Sequence, residues 1–304
     1  MLCCGANRLP ALCAMWCYGV VLTEIIEELK LDDLFHIKQK ENVYAHSKGL
    51  NHIGSVIADF CERHDIDIPL IADVGCGTGA AITLPLATKG YVVKGFDLDA
   101  DSICLAQQIS GKMSNLSYIC QDLSRNDANE RFDIAICAEV LEHLSDPEAM
   151  LLEIKRVLSK NGVTIVTVPN GYGWFEFEQF MWNILRMDMI YSFSNRVLGF
   201  FKVKVLGRVS GINISKSSEA VIPASLSQEP HMQRFTTRKL RTLFKNCDLD
   251  IVKMKKSSLF AGRFSHIVFG RLPRCVNINA RVVEYLPACL AAGWYFVLSN
   301  EDKE

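Results

Sequence analysis

The chain has 304 residues, of which 49% are hydrophobic and 22% charged, and its formal net charge is −1. This composition is typical of a globular protein with a sizeable core, and the charge gives no global field that would favour nucleic acid. The 12 cysteines are scattered without a C-x-x-C pair, which favours a reduced intracellular setting over a disulfide framework or a structural zinc site.

An apolar N-terminal segment opens the chain. Residues 9–22 are nearly all apolar, but they are too few for a bilayer span, which needs about 20 residues. We predict that residues 1–45 form a helical extension, whose apolar segment is a packing helix or a poorly ordered extension, with a membrane or targeting role as the alternative. We expect a cytoplasmic protein, either free or bound peripherally to a membrane.

Strands and helices then alternate, which predicts an α/β fold with a doubly wound, mostly parallel sheet. Residues 46–170 form the predicted core, residues 171–230 a helical insertion after the fifth strand, and residues 231–304 the C-terminal part of the sheet. The predicted helices are 44–61, 78–88, 99–110, 147–159 and 236–247, and the predicted strands are 70–74, 91–96, 117–120, 133–137, 163–168 and 249–256, with a final strand within 286–300.

A glycine-rich loop follows the first strand in the sequence Asp73-Val74-Gly75-Cys76-Gly77-Thr78-Gly79. Glycine reaches positive φ and permits close approach of a ligand, so a strand, such a loop and a helix form a cofactor cradle. The next strand ends in Asp97, where nucleotide-binding folds hydrogen-bond a ribose. The G-x-G-x-G spacing differs from the G-x-G-x-x-G of dinucleotide-binding loops, which leaves an NAD-dependent dehydrogenase as the weaker interpretation.

This loop resembles motif I of the class I S-adenosylmethionine (SAM) dependent methyltransferases. The resemblance continues through GFDLD, YICQDL, FDIAICAEVLEHLSDP and LLEIKRVLSKNGVTIVTVPN, over about residues 50–170. It implies a seven-stranded sheet whose last strand is antiparallel between strands five and six, with Asp97 on the ribose of SAM and Asp122 on the adenine. The cofactor-binding residues that it implies are Asp73, Gly75, Cys76, Gly77, Gly79, Asp97, Leu98, Asp122, Leu123 and Ala138.

Glu139, Glu142 and His143 are the predicted catalytic residues. On one helical turn after the fourth strand they would share a face, and two carboxylates with an imidazole suit Mg²⁺, Mn²⁺ or Zn²⁺. With the later His231, this E-x-x-E-H motif resembles the metal site of the small-RNA 2′-O-methyltransferases and of the ubiquinone-pathway O-methyltransferases, which implies Lewis-acid catalysis. The alternative is a structural or acceptor-contacting role without metal.

The insertion is rich in large apolar residues, and we interpret it as a lid or substrate cap. Membrane contact through residues 171–208 and a dimer interface are the alternatives, and the oligomeric state stays open. PNGYG and HMQRFTTRKL resemble uncharacterised bacterial methyltransferases of envelope biosynthesis. We expect O-methylation of a small-molecule, saccharide or lipid-linked acceptor, with no clear nucleic-acid signal. A non-catalytic SAM-binding or interaction protein is the alternative function.

Overall fold

The computed structural model describes residues 43–127, 129–186, 232–261, 265 and 273–300. The predicted extension before residue 43, the insertion from residue 187 onward, and His231 therefore lie outside the described residues. The domain limits drawn from the sequence stay predictions.

Helices and strands alternate through the described residues. In chain order they are α1 (Val43–His64), β1 (Leu70–Val74), α2 (Thr83–Thr88), β2 (Val92–Asp97), α3 (Ala100–Ser110), β3 (Leu116–Cys120), β4 (Phe132–Ala138), α4 (Pro147–Val157), β5 (Leu158–Pro169), α5 (Trp174–Ile184), α6 (Thr237–Asn246), β6 (Asp250–Lys256), α7 (Pro273–Val282) and β7 (Gly293–Ser299).

The seven strands form one sheet in the order β3-β2-β1-β4-β5-β7-β6. The first five pair in parallel, and β7 runs antiparallel to both β5 and β6. This topology confirms the predicted doubly wound, mostly parallel α/β fold, including the last strand between strands five and six. Because the parallel strands end at one edge, the loops after β1, β2, β3 and β4 meet there.

Helices cover the sheet on both faces, since alternate residues of a buried strand project to opposite sides. One face packs apolar side chains of α1 and α2 on the sheet, among them Ile53, Ile57, Phe60, Leu86, Ile134, Ile165 and Val297. The other face packs α4 and α6, among them Leu151, Ile154, Leu240, Phe244, Val166 and Phe296.

Local capping sets several helix starts as the sequence indicates. Asp146 accepts a hydrogen bond from the Ala149 backbone N–H before Pro147 in the first turn of α4, and Thr236 caps α6. The second helix begins at Thr83 rather than at residue 78, because the glycine loop continues as turns up to that point. The helix α7 was not predicted.

Within the part of the chain that the structure describes, no helix is both long and apolar enough to cross a membrane.

Candidate functional site

The glycine loop turns directly over the carboxyl end of β1. Gly75, Gly77 and Gly79 have φ of 71°, 54° and 68°, values that a residue with a side chain adopts only at a cost. The backbone N–H groups of Gly75 and Cys76 both donate to Phe96 O, at 2.8 and 3.0 Å, which ties the loop to β2.

Close packing joins this loop to the turn after β4. A Cβ atom added to Gly75 would lie only 2.5 Å from Val140 Cγ2. A side chain at this position would force Val140 to shift, so the surroundings favour glycine at position 75 as well as its φ. The glycine loop and the residues that follow Glu139 are therefore direct neighbours.

Asp97 lies at the end of β2 and holds the loop through its carboxylate. Its Oδ2 accepts a hydrogen bond from Gly77 N–H at 2.7 Å, and its Oδ1 accepts one from Asp99 N–H at 2.9 Å. A carboxylate offers about four acceptor positions, so Asp97 retains capacity for further donors such as ribose hydroxyls. The glycine cradle and this acid together fit a nucleoside-containing cofactor.

Asp73 supports the loop from within the protein. It is 3% exposed and accepts a hydrogen bond from Thr83 Oγ1 at 2.5 Å. Burial, opposed in part by this hydrogen bond, raises the pKa of Asp73 to about 6. Burial likewise raises the pKa of the Cys76 thiol. Of these two predicted cofactor residues, Asp73 is buried and Cys76 is partly buried.

The remaining predicted cofactor residues end neighbouring strands at the same edge. Leu98 is 69% exposed after β2, whereas Leu123 is 2% exposed after β3. Asp122 accepts a hydrogen bond from Ser124 N–H at 2.8 Å, and this bond lowers its pKa. Ala138 is the last residue of β4. Asp122 thus stabilises the turn after β3, at the same edge of the sheet as the cradle.

Glu139 follows β4 in a left-handed conformation, with φ of 56°. Its N–H donates to Thr167 O at 3.0 Å, which prolongs the ladder of β4 and β5, and its Oε1 accepts from Thr167 Oγ1 at 2.9 Å. The side chain is exposed. A non-glycine residue at positive φ costs free energy and is often found at functional sites. Only Leu141–His143 forms a 3-10 turn, so the single helical turn predicted over 139–143 is wrong.

Glu142 is buried beside this exposed acid. It is 1% exposed, its Oε2 has no hydrogen-bond partner among the described residues, and its Oε1 lies 3.9 Å from His143 Nε2. Burial, and then the charge of Glu139, raise the pKa of Glu142 well above its ordinary value. The backbone O of Glu142 accepts from Gln233 N–H at 3.0 Å, so the chain after the insertion rests on this turn.

A family model described as a methyltransferase domain matches residues 72–166. The matched segment contains the glycine loop, Asp97, Asp122 and Glu139, in the sheet order described above. This segment is a class I SAM-dependent methyltransferase domain.

The methyltransferase domain has curated relatives of similar sequence. Over 125 residues it is 30% identical to the ubiquinone biosynthesis O-methyltransferase of Coxiella burnetii (strain Dugway 5J108-111), a stretch that covers 40% of this chain and 51% of the relative. Over 126 residues it is 30% identical to the enzyme of that name from Rickettsia conorii (strain ATCC VR-613 / Malish 7), covering 41% of this chain and 43% of the relative. The chain thus spans about half the length of the curated relatives it matches.

Solved structures with a related arrangement include the magnesium protoporphyrin IX methyltransferase (ChlM) from Synechocystis PCC 6803 with bound SAH. It is 14% identical, with a TM-score of 0.46, and the superposition covers 84% of each chain. At this similarity, the fold assignment of the methyltransferase domain rests on its own strand order.

The metal site predicted for the methyltransferase domain is not complete in the described residues. No three His, Cys, Asp or Glu side chains among them gather in a way that could hold a metal ion. Since His231 lies outside the described residues, Glu139, Glu142 and His143 stay a predicted ligand set.

The sequence analysis missed two residues that the structure places at this site. Thr167 holds the Glu139 carboxylate. Tyr118 lies beneath the glycine loop, where a Cβ on Gly79 would be 2.2 Å from Tyr118 Oη. No sequence pattern indicates that a threonine or tyrosine within a strand contacts a loop of the site. Strand pairing alone brings Thr167 close to Glu139 and Tyr118 close to the glycine loop.

Proposed function

We propose that this protein transfers the methyl group of SAM to an oxygen acceptor, with Glu139 as the residue that takes the acceptor's proton. The observation that carries this proposal is the exposed Glu139 carboxylate, anchored by Thr167 directly beside the glycine cradle. The contact between Gly75 and Val140 makes the cofactor loop and the Glu139 turn a single surface.

The chemistry required of the protein is modest, because the sulfonium of SAM supplies the electrophilic methyl group. The acceptor oxygen forms a bond to the methyl carbon as the bond from carbon to sulfur breaks, and the hydroxyl proton passes to the Glu139 carboxylate. Holding the reactants in line can account for about 7–11 kcal/mol of the barrier. A positioned general base contributes about 10²–10⁴-fold in rate.

An oxygen acceptor with an apolar part agrees with the surroundings of the site. The relatives carry the name ubiquinone biosynthesis O-methyltransferase. Gly171 N–H donates to Phe235 O and Gln233 N–H to Glu142 O, so the start of the insertion and the segment that follows it meet beside the Glu139 turn. These segments expose large apolar side chains at Tyr172, Trp174, Phe177, Phe180 and Met232. They support a small-molecule or lipid-linked acceptor and peripheral contact with a membrane.

Methyl-labelled SAM tests this function. The purified protein is incubated with the soluble catechol caffeate and, in parallel, with lipid, saccharide, small-molecule and RNA fractions of a cell extract, each with and without a chelator. We expect label in an O-methylated product, and the labelled fraction identifies the acceptor class. Loss of label on chelation, restored by Mg²⁺, Mn²⁺ or Zn²⁺, would support the predicted metal.

The Glu139→Gln variant is the internal control of this experiment, because it should bind SAM and transfer little label. Wild-type protein that retains SAM but labels no fraction would contradict the proposal and favour a non-catalytic SAM-binding protein.

A further inference from the structure

A line of buried polar side chains leads from Glu139 into the protein. Thr167 Oγ1 donates to Glu139 Oε1, and Tyr295 lies directly opposite Thr167 in the antiparallel pair of β5 and β7. Side chains at directly opposed positions project from the same face and lie close together. Thr167 and Tyr295 therefore share one face of the sheet, and both are 4% exposed.

His52 on α1 continues this line behind Tyr295. The two ring centroids are 5.6 Å apart, and His52 is also 4% exposed. Its Nε2 is buried and has no hydrogen-bond partner among the described residues. Burying a polar nitrogen without a partner costs free energy, so a role other than packing accounts better for a histidine here.

The fit between α1 and Tyr295 is close. A Cβ atom added to Gly49, one helical turn before His52, would lie 3.4 Å from Tyr295 Oη. The absence of a side chain at Gly49 thus lets the helix approach the hydroxyl. After burial, the charge of Glu139 is the second cause that raises the pKa of Tyr295, so the phenol lies within electrostatic reach of the carboxylate.

We propose that Tyr295 and His52 are positioning residues for Glu139. Together with Thr167 they form what we term the polar column: Thr167 and Tyr295 fix the Glu139 carboxylate toward the acceptor, and His52 fixes Tyr295. This inference rests on the proposed function, since it assigns to Glu139 the role of base. It links the first described helix, α1, to the reacting centre at the edge of the sheet.

The physical coupling can be measured without turnover by fluorine NMR of protein labelled with fluorotyrosine. The Tyr295 resonance is assigned by its loss in Tyr295→Phe. We expect Glu139→Gln and Thr167→Val to shift this resonance. Glu62→Gln and Thr164→Val should leave it in place, because Glu62 is an exposed acid of α1 and Thr164 is an equally buried threonine of β5. A Tyr295 resonance that does not respond to Glu139→Gln would overturn the inference.

Kinetics test whether the coupling matters for methyl transfer to caffeate or to the acceptor fraction that takes label. Removal of the Tyr295 hydroxyl should lower kcat by about tenfold in Tyr295→Phe, with KM for SAM unchanged. In a Glu139→Gln background, Tyr295→Phe should not lower kcat any further. If Tyr295 had a merely structural role, the losses of kcat from the two substitutions would be additive. Tyr285→Phe, at a tyrosine 90% exposed, is the control.

The two proposals fail in different ways. Additive losses of kcat in the double variant would overturn the role of Tyr295. No transfer by wild-type protein, with the Tyr295 resonance still shifted by Glu139→Gln, would contradict the proposed function and leave the polar column supported.

Discussion

Asp97 and Gly77 are joined by a hydrogen bond of 2.7 Å, in which the Asp97 carboxylate accepts from the Gly77 backbone N–H. The acid that ends β2 thus shapes the loop that follows β1. Because the same carboxylate keeps acceptor positions open, we expect binding of the cofactor to depend on this side chain as well.

Replacing Asp97 should therefore weaken cofactor binding. We expect Asp97→Ala to reduce SAM affinity by about 1–3 kcal/mol, the cost of leaving buried donors unpaired. Isothermal titration calorimetry measures this change, with Asp101→Ala, an exposed acid of α3, as the matched control. Unchanged SAM affinity in Asp97→Ala would contradict the predicted ribose contact.

The contact between the loop and Val140 predicts different outcomes at two glycines of similar φ. Gly75 has φ of 71° and a Cβ there would meet Val140, whereas Gly111 has φ of 61° and open space around the added atom. Gly111→Ala should lower the free energy of unfolding by about 1–3 kcal/mol, because its φ of 61° and ψ of −148° lie in a region that essentially only glycine adopts. Gly75→Ala should lower the free energy of unfolding by more than Gly111→Ala does, and it should also abolish SAM binding. Urea unfolding and calorimetry check both, and equal losses at the two sites would refute the close packing.

Glu139 should affect turnover far more than cofactor binding. Glu139→Gln keeps the shape of the side chain and its hydrogen bond from Thr167, but it removes the base. We expect methyl transfer to fall by about 10²–10⁴-fold with SAM affinity preserved. Single-turnover assays measure the transfer step, with Glu62→Gln as the control. Full activity in Glu139→Gln would remove Glu139 from the mechanism.

The raised pKa of Asp73 predicts how stability depends on pH. The pKa rises from an ordinary 3.8 to about 6, so the folded protein retains a proton that the unfolded chain has released. This group therefore lowers stability progressively as pH rises from about 4 to 6, by about 3 kcal/mol in total, and adds no further change above that range.

Asp73→Asn should remove this dependence, because the amide oxygen can still accept from Thr83 and cannot ionise. Urea unfolding at several pH values should show the variant gaining on wild-type protein between about pH 4 and 6. The exposed Asp67→Asn serves as the control, and parallel pH curves for wild type and Asp73→Asn would contradict the raised pKa.

Sequence patterns were sufficient to predict the strands of the sheet and their mostly parallel arrangement. The alternation of apolar strands and amphipathic helices predicted β1 to β5 and their parallel order, because period and turn residues are local properties. The glycine spacing and the acid that ends β2 likewise predicted the cofactor cradle, since left-handed φ and close approach restrict those positions to glycine. The resemblance implied the antiparallel last strand, which the sheet confirms.

Only the tertiary structure decided how the acids of the E-x-x-E-H motif differ. Glu139 and Glu142 are three residues apart in the sequence, and the sequence analysis predicted the same catalytic and metal-binding roles for both. In the fold, pairing of β4 with β5 turns Glu139 outward onto Thr167, while the 3-10 turn buries Glu142. Partners such as Thr167 and Tyr295 are far apart in the chain, and the register of β5 against β7 brings them together. Such contacts depend on strand pairing across the whole sheet, which no local pattern encodes.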